Sequence, residues 1–187
     1  MMRLFVAGLL LLRLEAAKVA APDPKYQAFF DGWKNLKAND KADNKAFYEK
    51  IGEMAAAGQN GIKTLKDKSG KTILYYTVHE SGAGDKAPQA GTQCDCHYKG
   101  VTIDGKQFDS SFDRGSPTGF APKQVIKGWT EAMQQMVEGD MWEMYIPSEN
   151  AYGDKGAGGS IPGGATLVFV MRIEKIKGDT QPRVLEV

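Results

Sequence analysis

Near the end of the chain one run alternates most clearly, with Leu167, Phe169, Met171 and Ile173 on one face and Arg172 and Glu174 on the other. A period of two over that length predicts a strand with one buried face. The same period recurs at Leu74, Tyr76 and Val78 before the loop 81–84, at Cys94, Cys96 and Tyr98 up to Gly100, and at Trp142, Met144 and Ile146 up to Pro147. Asp104 and Gly105 form a hairpin turn signal, with residues 106–109 returning beyond it. Val125, Ile126, Trp129, Met133 and Met136 instead follow a helical period, which Gly139 stops. Several strands and one amphipathic helix predict an α+β domain, a curved antiparallel sheet wrapped around a short α-helix.

The first 60 residues read differently. Arg3, the apolar stretch 4–12 and the small residues Ala16, Ala17, Ala20 and Ala21 have the form of a secretory signal over residues 1–21. Arg13 interrupts the apolar run, which is well short of the roughly 20 residues that span a bilayer. A helical N-terminal extension over 22–60 is expected to follow. Pro24 opens a first helix carrying Tyr26, Phe29, Phe30 and Trp33 through Leu36. After a polar break at 39–43, a second helix places Phe47, Ile51, Met54 and Ala55 on one face and stops at Gly58 and Gly61. The aromatics of the first helix have two readings: packing on the second helix or the main domain, and a surface for dimerisation or client binding. The main domain is expected over 61–177 and a loosely ordered tail over 178–187, with no repeat at a solenoid period.

Composition narrows the chemistry. With 187 residues, 42% hydrophobic and 25% charged, and 24 basic against 23 acidic residues, the chain suits one main domain and has almost no net charge to recruit nucleic acid. His79 and His97, the two histidines, lack metal-ligand spacing, so no metal and no cofactor is expected. Cys94 and Cys96 are too few for a disulfide framework, lack the Cys-x-x-Cys spacing of a redox pair and read as buried core thiols. The glycines at 153, 156, 158 and 159 are followed by no Lys-Ser/Thr pair, so they read as a flexible flap rather than a phosphate cradle.

What remains is an apolar and aromatic constellation with few polar groups. Three stretches carry it in order: HYKGVTIDGKQFDSSFDRGSP at 97–117, VIKGW at 125–129, and IPSENAYGDKGAGGSIPGGATLVF at 146–169. Together they closely resemble the signature of FKBP-type peptidyl-prolyl cis/trans isomerases, over about residues 61–177. The helical preface and the stretch 61–80 resemble the exported, Mip-like subgroup. The resemblance implies a sheet of about five or six antiparallel strands curled around a short helix, with a ligand cleft between them. It puts Trp129 at the cleft floor, Tyr98, Phe108 and Phe169 on its walls, and Val125, Ile126 and Ile161 along its sides. The Ile126 backbone N–H is then the donor to a ligand carbonyl. Asp109 and Tyr152 supply polar contacts, and Arg114 orients Asp109; a purely structural role for Asp109 stays open beside the functional one. Asp109, Tyr152, Trp129 and Phe108 are thus the expected catalytic set, with Tyr98, Arg114, Val125, Ile126, Ile161 and Phe169 binding substrate. Thr118, Ala157 and Ser160 depart from the family pattern and thin the rim.

The implied reaction needs no cofactor. Amide resonance sets a barrier of about 18–20 kcal/mol to rotation about the C–N bond, and the twisted transition state has lost that conjugation. An apolar cleft that desolvates the amide favours the less charge-separated twisted form. The implied partners are proline-containing polypeptides and macrolide inhibitors of the rapamycin class, in the secretory pathway or outside the cell. No nucleic acid and no stable membrane insertion after signal removal are expected. The chain is expected to be a monomer, with the N-terminal helices as a route to a dimer. A non-catalytic peptide-binding chaperone or adhesion module using the same cleft is the alternative.

Overall fold

The computed structural model describes residues 36–184. The signal and the aromatic helix expected before them, Leu36 apart, lie outside the described residues.

Helix α1 spans Lys41–Ala56. Asp40 caps it, its carboxylate accepting from the N–H groups of Ala42 at 2.8 Å and Asp43 at 3.2 Å. Asn44, Phe47, Ile51 and Met54 are buried along one stripe, and Gly58 ends the element in the left-handed region at φ 63°. Nine strands follow: β1 Lys63–Lys66, β2 Thr72–Glu80, β3 Lys86–Pro88, β4 Gln93–Thr102, β5 Gln107–Ser110, β6 Thr118–Phe120, β7 Met141–Ile146, β8 Leu167–Lys177 and β9 Thr180–Pro182. Helix α2, Lys127–Met133, lies between β6 and β7.

Seven strands make one antiparallel sheet in the order β1-β2-β7-β8-β4-β5, with β6 also paired to β4. The sheet is therefore larger than the resemblance implied. Strand β4 organises it: one edge runs antiparallel to β8 over its whole length, while the other takes β6 beside Cys94–Cys96 and β5 beside Lys99–Val101. Its alternating burial places Cys94, Cys96 and Tyr98 inward, in one cluster with Trp129, Ala132 and Met133 of α2 and Met144, Phe169 and Met171 of β7 and β8.

Three expectations differ from what is observed. The helical period from Val125 to Met136 becomes a helix of seven residues, Lys127–Met133, because Val125 and Ile126 are extended. The Thr130 hydroxyl donates to the Pro122 carbonyl at 2.6 Å and holds that extended approach against the helix. Strand β7 is buried on both faces rather than one: Trp142, Met144 and Ile146 join the main cluster, while Tyr145 meets Phe47 of α1 at a ring-centroid distance of 6.3 Å. The described part of the expected tail, residues 178–184, is held rather than loose. Thr180–Pro182 pairs with Lys86–Pro88, and Arg183 reaches the fully buried Asp140 at 3.0 Å.

The cysteines sit where their alternation placed them. Both are free and fully buried; desolvation pushes the Cys94 thiol up to about 11 and Cys96 higher still, with the Asp95 carboxylate adding to both. Neither thiol should be alkylated by iodoacetamide near pH 8 in the folded chain, and both should react after denaturation. Mass spectrometry of the treated protein reads this, and modification of the native chain would contradict the burial.

Candidate active site

The floor of the cleft follows from the start of α2. Because the helix opens at Lys127, Trp129 is directed at the sheet and is 5% exposed. Its ring lies 5.1 Å from Tyr98 at 74°, 4.8 Å from Phe169 at 71° and 5.3 Å from Phe120 at 39°. The first two are edge-to-face contacts, the arrangement the ring quadrupole favours. Phe108, on β5, meets Phe169 on β8 edge-on at 5.4 Å. Those two rings occupy the space above Gly100, where an added Cβ would lie 2.5 Å from Phe108 Cζ and 2.6 Å from Phe169 Cε1. A side chain at this position on β4 would fill the wall, and its absence allows the aromatic pair to close over the strand.

These rings enclose a cleft of about 660 Å³, lined also by Asp109, Val125, Ile126, Tyr152 and Ile161 and rimmed by Thr118, Gln124, Ala157, Gly158 and Ser160. A volume in that range suits a ligand of several residues. Ile126 is at the N-cap of α2, and among the described residues its N–H meets no acceptor. A donor at a helix N-terminus beside an apolar cleft can bind a carbonyl.

One polar cluster borders the aromatic wall. The Tyr98 hydroxyl donates to Asp109 Oδ2 at 2.6 Å, Arg114 Nη1 donates to Asp109 Oδ1 at 2.5 Å, and Arg114 Nη2 donates to the Tyr98 hydroxyl at 2.9 Å and to Thr118 Oγ1 at 3.3 Å. Partial burial opposes the Asp109 charge, but the bonds from Tyr98 and Arg114 outweigh it and hold the carboxyl below its ordinary range. Desolvation raises Tyr98, helped by its bond to Asp109, and raises Tyr152, helped by the Asp109 charge. Over the neutral range the cluster is thus one carboxylate, one guanidinium and two intact phenols.

Nine of the ten residues expected at the site line this cleft. Arg114 stands behind it as the partner of Asp109 and Tyr98. Phe120 and Gln124 line it too and were not anticipated. Phe120 belongs to a strand of three residues, too short for alternation to show, in the gap between the motifs at 97–117 and 125–129. Gln124 accepts from the Ala121 N–H at 2.8 Å within its own turn and from Gln93 Nε2 at 3.1 Å, a contact from a strand 31 positions earlier.

Residues 84–174 match the family described as FKBP-type peptidyl-prolyl cis-trans isomerase. The chain is 41% identical over 107 residues to FK506-binding protein 1A of Neurospora crassa and covers 89% of that protein. This chain belongs to the FKBP family. It is also 48% identical over 113 residues, 60% of its own length and 58% of the relative's, to the macrophage infectivity potentiator of Trypanosoma cruzi. The crystal structure of FkpA from Escherichia coli superposes with a TM-score of 0.61 at 33% identity, covering 95% of this chain and 73% of that one. The likeness to Mip and FkpA proteins makes it an FKBP of Mip-like kind. The chain spans little more than half the length of the first curated relatives it matches.

Proposed function

We propose that this chain is a peptidyl-prolyl cis/trans isomerase that accelerates rotation about X-Pro bonds of protein substrates in an exported compartment. The observation that carries the reading is the cleft itself, in which Trp129, Tyr98, Phe108, Phe120 and Phe169 surround a volume of about 660 Å³. The proline ring packs on Trp129, the preceding carbonyl accepts from the Ile126 N–H, and the aromatic walls exclude water from the amide. In that environment the twisted amide, having lost its charge separation, is favoured over the planar one. No proton is transferred, so the polar cluster orients the substrate and Asp109 is no obligatory base.

That mechanism fixes the pH dependence. The Asp109 pKa is depressed, so its charge and ion pair are present above the ordinary carboxyl range and are lost only as pH falls through the depressed value. Tyr98 and Tyr152 are raised and keep their protons beyond the ordinary phenol value. The kcat/KM for a proline peptide should therefore be level between about pH 5 and about pH 9. A bell with a limb near neutrality, measured by stopped-flow, would reveal a titrating catalyst and overturn the account.

The family relative named FK506-binding protein supports a macrolide-binding cleft, and the apolar run at residues 4–12 supports export. The deciding experiment is isomerisation of an Ala-Leu-Pro-Phe peptide by the purified chain, with and without rapamycin. Drug-sensitive acceleration establishes the activity. A folded, drug-binding chain that gives no acceleration is instead a peptide-binding module, the reading favoured by the short rim residues Thr118, Ala157 and Ser160. The chain acts as a monomer, which light scattering of the eluted protein checks.

A further inference from the structure

Helix α1 is bonded to the segment that closes one side of the cleft. Asn44 is 2% exposed, and its side-chain amide is used on both ends. Nδ2 donates to the carbonyls of Ala38 at 2.9 Å and Asp40 at 2.8 Å, while Oδ1 accepts from the Thr166 N–H at 2.7 Å. The Thr166 hydroxyl donates back to the Asn44 carbonyl at 3.3 Å. One turn earlier, Lys41 Nζ meets Asp154 Oδ1 at 2.5 Å. The Lys41 stem lies on Gly164, where an added Cβ would sit 2.9 Å from Lys41 Cγ.

Asp154 and Thr166 bracket the flap. Between them lie Ala157, Gly158, Ser160 and Ile161 of the cleft lining, and Tyr152 stands just before. The flap is stiffened internally by the mutual Ala157–Ile161 bonds at 2.9 and 3.0 Å and by Gly164 N–H to the Gly153 carbonyl at 2.9 Å. Both of its ends are therefore fastened to the first turns of one helix. The Lys41–Asp154 pair is exposed and contributes little. Asn44 is different, because a buried amide with its donors and acceptor all engaged admits few alternative positions for what it bonds.

Resting on the isomerase reading of the cleft, we infer that Asn44 is a positioning residue for the reaction: through Thr166 it holds the flap, and with it Tyr152 and Ile161, at the spacing the substrate needs. The N-terminal helix then sets the cleft geometry through the two ends of the flap. Such coupling is reciprocal, so filling the cleft must also tighten the first turns of α1.

The test compares Asn44→Ala and the milder Thr166→Val with the unaltered full chain, by residue-resolved amide exchange and by peptide isomerisation. In Asn44→Ala the amides of Ala157, Ile161 and Gly164 should exchange about tenfold faster, while the β4–β8 ladder keeps its protection. The kcat/KM should fall about tenfold, mainly through KM, because substrate meets a looser wall. Thr166→Val should move both readouts the same way by roughly threefold. Saturating rapamycin should slow exchange of the Asn44 N–H, which donates to the Asp40 carbonyl at 3.1 Å. Unchanged flap exchange in both variants overturns the inference, as does faster flap exchange with KM and rapamycin affinity untouched. If the unaltered chain proves inactive, the isomerase reading fails separately, and flap exchange with rapamycin affinity still decides whether α1 governs the cleft.

Discussion

Trp129→Ala should reduce kcat/KM for a proline peptide on the order of a hundredfold, equivalent to about 2.7 kcal/mol of transition-state binding. Three aromatic rings meet this indole within 5.3 Å of its centroid, and in the proposed mechanism it is the surface on which the proline ring rests. Removing it deletes the floor and lets water reach the amide, which restores the solvation of the planar ground state. The same change should cost about 3–5 kcal/mol of folding free energy, since a buried ring leaves a cavity that its neighbours fill only in part. Trp129→Leu separates the two effects: it keeps most of the apolar volume, so it should recover much of the stability and little of the activity. Urea titration beside the peptide assay reads both. Activity close to that of the unaltered protein in a folded Trp129→Ala chain would remove the cleft from the reaction.

Arg183→Ala should destabilise the domain by about 3–5 kcal/mol although the residue lies near the chain end. Its side chain pairs at 3.0 Å with Asp140, which is 0% exposed, and its guanidinium lies 6.0 Å from the Trp142 ring centroid. Asp140 in turn accepts from the Gly82 N–H at 2.8 Å and the Val137 N–H at 3.0 Å, tying the turn after α2 to the loop between β2 and β3. Without Arg183 this carboxylate is left buried with two neutral donors and no countercharge. A double-mutant cycle with Asp140→Asn should return a coupling of about 1–3 kcal/mol. A midpoint within experimental error of the unaltered protein would mean that the terminal strand pairs without supporting the core.

Much of this was legible in the chain. The alternation at Leu167–Ile173 and Cys94–Tyr98 identified the strands that pair along the middle of the sheet, and the ordered motifs identified nearly the whole cleft lining. Alternation is legible where a strand buries one face, as β4 does along its length and β8 does beyond Val168, so the pattern repeats every two residues whatever its neighbours are. Where that condition fails, so does the reading. Tyr145 is buried by Phe47 of α1, a contact absent from the local pattern of β7, and Glu143 is buried with it, accepting from the Tyr145 hydroxyl at 2.5 Å beside His79 Nε2 at 3.0 Å. Phe120 stood in too short a strand to show a period. Arg183 stood in a polar tail whose purpose depends on a carboxylate 43 positions earlier, at Asp140.

By itself, then, the sequence determined the α+β class, the strands of the sheet's centre, the family and the aromatic floor, because each of these is written in short-range periodicity or contiguous motifs. Only the tertiary structure decided that Asn44 bonds to Thr166, 122 positions away, that Lys41 reaches Asp154 across 113, and that Arg183 pairs with the buried Asp140. The reason is physical: a polar side chain is compatible with solvent or with a buried partner, and which it meets depends on how distant segments pack rather than on its neighbours in the chain.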